Sequence, residues 1–220
     1  PYLHNYQVVL NYPNITDLDA VRAGPPLEAQ SIGYLGRVSR ARGVLSVTQA
    51  INILRREGRE LEFQCMGPVE PNVLEDELFR RGMREGWIHV PGHVRPQTGW
   101  STLKRCIAGV AVLHRTPNAE RSYPTKMFEY MGLGLPVVVS DFPLYRDVVV
   151  GGGAGVVVNP GDTTALVEAL RLMVDKPERA RDMGDRGRQL VAERYNWEGQ
   201  LQALEGFYQK QCVRVAQREF

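Results

Sequence analysis

From residue 31 onward, short apolar strands alternate with helix-length segments, and this rhythm constrains the fold more than any other feature of the chain. "SIGYLG" (31–36), "ELEFQCMG" (60–67), "WIHVPG" (87–92), "IAGVAVL" (107–113), "PVVVS" (136–140) and "AGVVVN" (154–159) read as strands. The segments 43–57, 72–86, 98–106 and 143–150 read as helices, and 114–124 as a loop. In "TTALVEALRLMVD" (163–175), Leu166, Leu170 and Met173 fall at i, i+4 and i+7, the spacing of an amphipathic helix. A charged helix over 177–195 and a terminal helix over 197–220 follow. Such alternation builds βαβ units: an α/β, Rossmann-like three-layer sandwich with a parallel sheet between two helical layers. Ligands of such sheets bind at the carboxyl ends of the strands, near the point where strand order reverses. The loops after residues 36, 66, 90, 113 and 140 are therefore the places to look for chemistry. Residues 1–30 stand outside the rhythm, with one short strand in "YQVVLNYPNI" and a linker in "RAGPPLEAQ".

Several functional classes can be set aside. The net charge is only +2, and the basic residues are scattered with no block of interleaved aromatics, so a nucleic-acid partner is not indicated. No apolar run approaches the roughly 20 residues of a membrane helix. The three cysteines, Cys65, Cys106 and Cys212, suggest no disulfide framework and fit a reducing cytoplasm. The four histidines lack metal-ligand spacing, so no metal is expected. The chain starts at Pro1 without a methionine, which reads as a fragment or a processed chain.

Three loops remain. In "GYLGRVSRARG", Gly36 closes a strand, Arg37 follows, and Arg42-Gly43 opens a helix. Two guanidiniums flanking a helix N-terminus suit a diphosphate, because Arg makes paired, charge-assisted hydrogen bonds to phosphate oxygens. A solvated basic loop reads equally well from this segment alone. Neither GxxxxGK[ST] nor GxGxxG is present. In "VPGHVRP", the turn at Gly92, His93 and Val94 could offer main-chain groups to a flat base, or be a plain turn. In "SYPTKMFEYMGLGLPVVVSD", Pro124 suits a helix's first turn and "GLGLP" ends that helix. Lys126, Glu129 and Tyr130 share one face there, while Met127, Phe128 and Met131 can point inward. The helix N-terminus after Pro124 is a ready anion site, although this segment alone reads more readily as an ordinary packing helix with a surface Lys–Glu pair.

Taken in order, these motifs resemble the C-terminal, donor-binding domain of retaining GT-B glycosyltransferases of family four, the "group 1" enzymes, over about residues 31–200. The resemblance implies that Gly36, Arg37 and Arg42 match the family's Gly-Arg-x4-Lys-Gly diphosphate loop, with Arg in place of Lys. It implies that Gly92, His93 and Val94 border the base, and that Glu129 is the second Glu of a Glu-x7-Glu motif and binds the ribose hydroxyls. The first Glu falls at Arg121, one residue beyond Glu120; Pro124, Thr125, Lys126, Glu129, Tyr130 and Met131 instead match a P-[ST]-K-x-x-E-Y-M branch of the family. Arg37, Arg42 and Lys126 would then stabilise the departing diphosphate. Residues 1–30 would leave an N-terminal domain, 31–196 would bind the nucleotide sugar, and 197–220 would pack back toward that absent domain, which would bind a glycan or lipid acceptor. The implied activity is transfer of a sugar from a nucleoside-diphosphate donor with retention, in cell-envelope or polysaccharide biosynthesis. It uses no cofactor or obligatory metal, and this half alone would be inactive. A cytoplasmic location is implied, with peripheral membrane contact left open. A GT-B sugar-nucleotide epimerase and a non-catalytic nucleotide-binding module are the competing readings.

Overall fold

The computed structural model describes residues 6–25, 27 and 30–216. Six strands form one parallel sheet: β1 (Gln30–Leu35), β2 (Leu61–Met66), β3 (Ile88–Gly92), β4 (Ala108–Ala111), β5 (Val137–Ser140) and β6 (Gly155–Val158), in the order β3-β2-β1-β4-β5-β6. β1 is followed by β2 on one side and β4 lies on the other, so strand order reverses between β1 and β4. This is the α/β, Rossmann-like parallel sheet expected from the alternation.

The helices are α1 (Ile15–Ala20), α2 (Val44–Arg56), α3 (Pro71–Leu74), α4 (Glu77–Arg84), α5 (Pro96–Leu103), α6 (Pro117–Arg121), α7 (Thr125–Gly132), α8 (Pro143–Val149), α9 (Thr163–Asp175), α10 (Pro177–Glu193) and α11 (Trp197–Ala216). Apolar side chains of α2, α4 and α9 pack on one sheet face, around Ile32, Phe63 and Val110. Those of α5, α7 and α8 pack on the other, around Met66, Val137 and Val139. α10 joins both cores, placing Ala180 in the first and Val191 in the second.

Three expectations change. Residues 6–14 form no strand; Pro13 has no N–H to pair, and Asn14 instead caps α1 by accepting from the Asp17 N–H at 3.0 Å. The helix expected over 72–86 breaks in two, because Asp76 adopts an extended conformation and caps α4 through the Phe79 N–H. The loop expected over 114–124 contains α6, capped by Thr116 and opened by Pro117. The terminal helix is present through Ala216; residues 217–220 and the side chain of Cys212 lie outside the described residues.

The start of the described chain is fastened to α11. The Leu10 N–H donates to Gln200 at 2.8 Å, the Ile15 N–H to Glu198 at 3.1 Å, and the Trp197 N–H to the Pro13 carbonyl at 2.9 Å. No described helix is long and apolar enough to cross a membrane. No cluster of three or more His, Cys, Asp or Glu with metal-holding geometry occurs among the described residues.

Candidate functional site

The site lies at the carboxyl end of β1, where strand order reverses. β1 and β4 pair only at Ile32–Ala108 and Gly33–Gly109. Beyond that point the Tyr130 side chain of α7 takes over from the ladder. Its ring lies over Gly109, where an added Cβ would meet ring carbons at 2.4 Å. Its hydroxyl accepts from the Leu35 N–H at 2.8 Å and sits 3.4 Å from the Leu35 carbonyl, toward which it donates. One buried phenol thus satisfies backbone groups that β4 no longer reaches. Tyr130→Phe is expected to destabilise the fold by about 1–3 kcal/mol through the orphaned Leu35 N–H. Denaturant unfolding measures the cost, and faster amide exchange at Leu35 locates it.

The loop after β1 is clamped on two sides. Gly36 (φ +130°) keeps pairing toward β2 through its N–H to the Met66 carbonyl at 2.8 Å. Val38 continues this as a parallel bridge to Val69. On the other side, the His114 N–H donates to the Ala41 carbonyl at 2.9 Å, and Gly43 (φ +71°) caps α2 against the end of β4. The loop 36–43 is therefore held by both neighbouring strands rather than lying free on the surface.

Lys126 carries the electrostatics of the site. The whole of α7 is packed against the sheet and α10, so the Lys126 side chain is only 8% exposed. Although α7 lies on the opposite sheet face, its Nζ reaches over the strand ends to sit 4.0 Å from the centre of the Tyr34 ring. An added Cβ on Gly36 would lie 2.9 Å from that Nζ. The ammonium is buried and makes no hydrogen bond. Burial first, and the nearby Arg42 guanidinium second, push its pKa down to about 7, with Glu129 and Cys65 opposing. Among the described residues neither Lys126 nor Arg42 forms an ion pair. Two converging cations, one of them buried without an acceptor, make a site that lacks an anion.

Around this centre stand the other groups. Glu129, one turn along α7, has its pKa raised by burial, with Lys126 and Trp100 pulling it down. The Tyr34 hydroxyl donates to the Arg37 carbonyl at 2.6 Å, fixing the backbone beside Gly36. Pro124 is the N-cap of α7 and Thr125 its first residue, one position later than expected for Pro124. Asn11 reaches Thr125 Oγ1 at 3.4 Å. The Arg37 side chain stands apart: it is 64% exposed and leans toward Glu70, at 3.9 Å. Gly92 ends β3 with φ +76°, with exposed His93 and half-buried Val94 after it. Glu120 of α6 is paired with Arg115, which lies just before that helix.

The fold thus brings Gly36, Arg42, Lys126 and Glu129 together and leaves Arg37 on the rim. Sequence reasoning missed Tyr34 and Trp100, each of which reads locally as an ordinary core aromatic, and placed Tyr130 on the Lys126 face without giving it a task. The i, i+4 spacing of Lys126 and Tyr130 was the available signal that both face the sheet.

Comparison with known proteins places the chain in a family. The profile of the family "Glycosyl transferases group 1" matches residues 29–176. The MMP α-(1→4)-mannosyltransferase of Mycolicibacterium hassiacum is 27% identical over 176 residues, which cover 80% of this chain and 41% of the relative. The match therefore spans less than half of that relative's length. HepE from Anabaena, solved with UDP and glucose, superposes with a TM-score of 0.75 at 14% identity, over 93% of this chain and 57% of HepE. The C-terminal domain of a group 1 glycosyl transferase family protein (LpcC) from Francisella tularensis superposes with a TM-score of 0.65 at 15% identity, over 84% of this chain and 95% of that one. With the profile covering the sheet from its first strand through α9, and so every strand that shapes the crevice, this chain belongs to the group 1 glycosyl transferases.

Proposed function

We propose that this chain is the donor-binding half of a glycosyltransferase, holding a nucleoside-diphosphate sugar at the carboxyl end of β1. The observation that carries this reading is Lys126: a buried ammonium with no acceptor, beside Arg42, at the reversal of strand order. A diphosphate supplies the missing acceptors and neutralises both cations. Fixed positive charge there also favours departure of the diphosphate as the glycosidic bond breaks, since it is aimed at charge that develops in the transition state. Glu129 accepts hydrogen bonds from the ribose hydroxyls, and the turn at Gly92, His93 and Val94 borders the base. Thr125 and the start of α7 lie toward the phosphates and donor sugar. Arg37 joins the diphosphate by leaving Glu70. The HepE complex with UDP and glucose supports the nucleotide class, and the likeness to a separately solved C-terminal domain supports the reading as one half of an enzyme. The acceptor, a glycan or lipid, binds in a second domain, and transfer proceeds with retention in cell-envelope or polysaccharide assembly.

Calorimetric titration with UDP, GDP and ADP tests this. One nucleotide should bind preferentially. Arg42→Ala should weaken it roughly 10–100-fold, the scale of one charge-assisted hydrogen bond. Arg37→Ala should weaken it less, because Arg37 must first leave its carboxylate partner. No binding of any of the three by the folded chain joined to its N-terminal domain sinks the reading. The anomeric configuration of the product, read by NMR on that same protein, decides retention.

A further inference from the structure

Trp100 is the second buried group at this crevice whose polar atom has no partner. The residue is 9% exposed, and its indole N–H makes no hydrogen bond. It belongs to α5, which lies tight against the end of β1: an added Cβ on Gly99 would meet the Leu35 side chain at 2.7 Å. That close approach brings Trp100 up to Glu129 of α7, near enough for the N–H to pull the carboxyl's pKa down without closing a well-formed hydrogen bond. A donor-only N–H and a carboxylate therefore stand side by side, each with hydrogen-bonding capacity to spare.

The ribose that Glu129 is read to hold offers a group that matches that pair. A hydroxyl donates once and accepts through two lone pairs, so it can give its proton to Glu129 while accepting from Trp100. A phosphate would suit the N–H but meet the carboxylate as a like charge, and a ligand amine would suit the carboxylate but not the N–H. Only three buried side-chain N or O atoms among the described residues lack partners; of the other two, Lys126 Nζ lies in the proposed diphosphate site, while Arg105 has its remaining nitrogens bonded to the Pro25 carbonyl and the Thr102 hydroxyl.

We propose that Trp100 is a specificity-determining residue: its indole N–H donates to the sugar hydroxyl that Glu129 holds, and the two together select a ribonucleotide over its deoxy counterpart. This rests on the reading of Glu129 as the ribose carboxylate. The discrimination arises because the hydroxyl takes up the N–H and the carboxylate at once, so a deoxy ligand forfeits both hydrogen bonds in a crevice largely closed to water.

The test titrates the chain joined to its N-terminal domain with whichever of UDP, GDP or ADP it binds best, and with the 2′-deoxy and 3′-deoxy forms of that nucleotide. The unsubstituted protein should prefer the ribonucleotide over one deoxy form by at least about 10-fold, the scale of one hydrogen bond to a charged group. Trp100→Phe should bring that ratio toward unity while leaving affinity for the deoxy form within about threefold. A purely structural role would lower both affinities together and keep the ratio. Benzothienylalanine at position 100 keeps the shape of the ring system and removes only the N–H, so it separates the donor from packing if the phenylalanine variant folds poorly. In the unsubstituted protein the Trp100 indole N–H resonance should move on binding the ribonucleotide and stay in place with the disfavoured deoxy form. A preserved ratio in both variants overturns the role of Trp100 alone. Tight nucleotide binding with no deoxy discrimination in the unsubstituted protein overturns both this role and that of Glu129.

Discussion

Lys126→Met will lose nucleoside-diphosphate binding by about 100-fold or more, and the folded chain will become more stable as it does so. Both effects follow from one buried ammonium without an acceptor. The diphosphate is the counter-charge that the site lacks, and removing the cation removes a charge-assisted contact of about 1.5–3 kcal/mol, together with its field on the leaving group. The unliganded fold meanwhile bears the cost of keeping that charge out of water. With the native pKa near 7 and the unfolded value near 10.5, the unfolded chain binds a proton between those values that the native chain does not. Stability therefore rises with pH from about 7 to 10.5, and the full cost is present below 7. The methionine variant removes this slope and should be on the order of 3 kcal/mol more stable near pH 6.

Ligand binding follows the opposite sense. A bound diphosphate favours the ammonium form, so affinity falls as pH rises above about 7 and binding takes up a proton. Arg42, Glu129, Cys65 and the Tyr34 hydroxyl are the other titratable groups around Lys126, from the loop before α2, α7, β2 and β1. Burial raises the Cys65 thiol and the Tyr34 phenol, so neither of them titrates near neutrality. Burial raises Glu129 as well, with Lys126 and Trp100 pulling it down. Calorimetry at pH 8 in buffers of different ionisation enthalpy measures the proton count. A count near one in the unsubstituted protein and zero in the methionine variant is expected. Tight nucleotide binding by that variant, without proton uptake in either protein, would remove Lys126 from the site.

Gly43→Ala should be the most damaging single-methyl change near the site. Gly43 has φ +71°, and an added Cβ would lie 1.8 Å from the Val112 carbonyl oxygen, which is backbone and cannot swing aside. The left-handed backbone alone costs about 1 kcal/mol for alanine, and the clash forces the cap of α2 away from β4. A loss of about 3–5 kcal/mol is expected, seen as a fall in melting temperature of roughly 10 °C for a chain of this size. Gly58→Ala is the control. Gly58 has φ +90° but no atom within 4 Å of the added Cβ, so it should lose only the conformational part. Equal losses in the two variants would mean that the pressure of the loop on β4 contributes nothing.

Much of this was legible in the chain itself. Period and composition gave six strands in order and the parallel sheet, because an apolar run between turn residues has few other places to go. The GRVSRARG loop and the PTKMFEYMG helix marked the candidate site, and Gly36, Arg42, Lys126 and Glu129 do converge. Local cap chemistry was read less well. Asp76 and Thr116 each outcompete the continuing pattern by accepting a backbone N–H three residues ahead, which splits one expected helix and creates another.

What the sequence by itself determined is the set of elements, their order and the residue types at the strand ends, because those depend on periodicity and on turn residues within a few positions of one another. What only the tertiary structure decided is which charges are expensive. Lys126 and Arg37 are both basic residues beside turn signals, yet one is buried over Tyr34 without an acceptor and the other leans toward Glu70 in solvent. That difference comes from α7 being covered by the sheet on one side and α10 on the other, contacts between segments that are separate in sequence. The energy of a charge depends on the dielectric and the partners around it, and neither is a property of its neighbours in sequence.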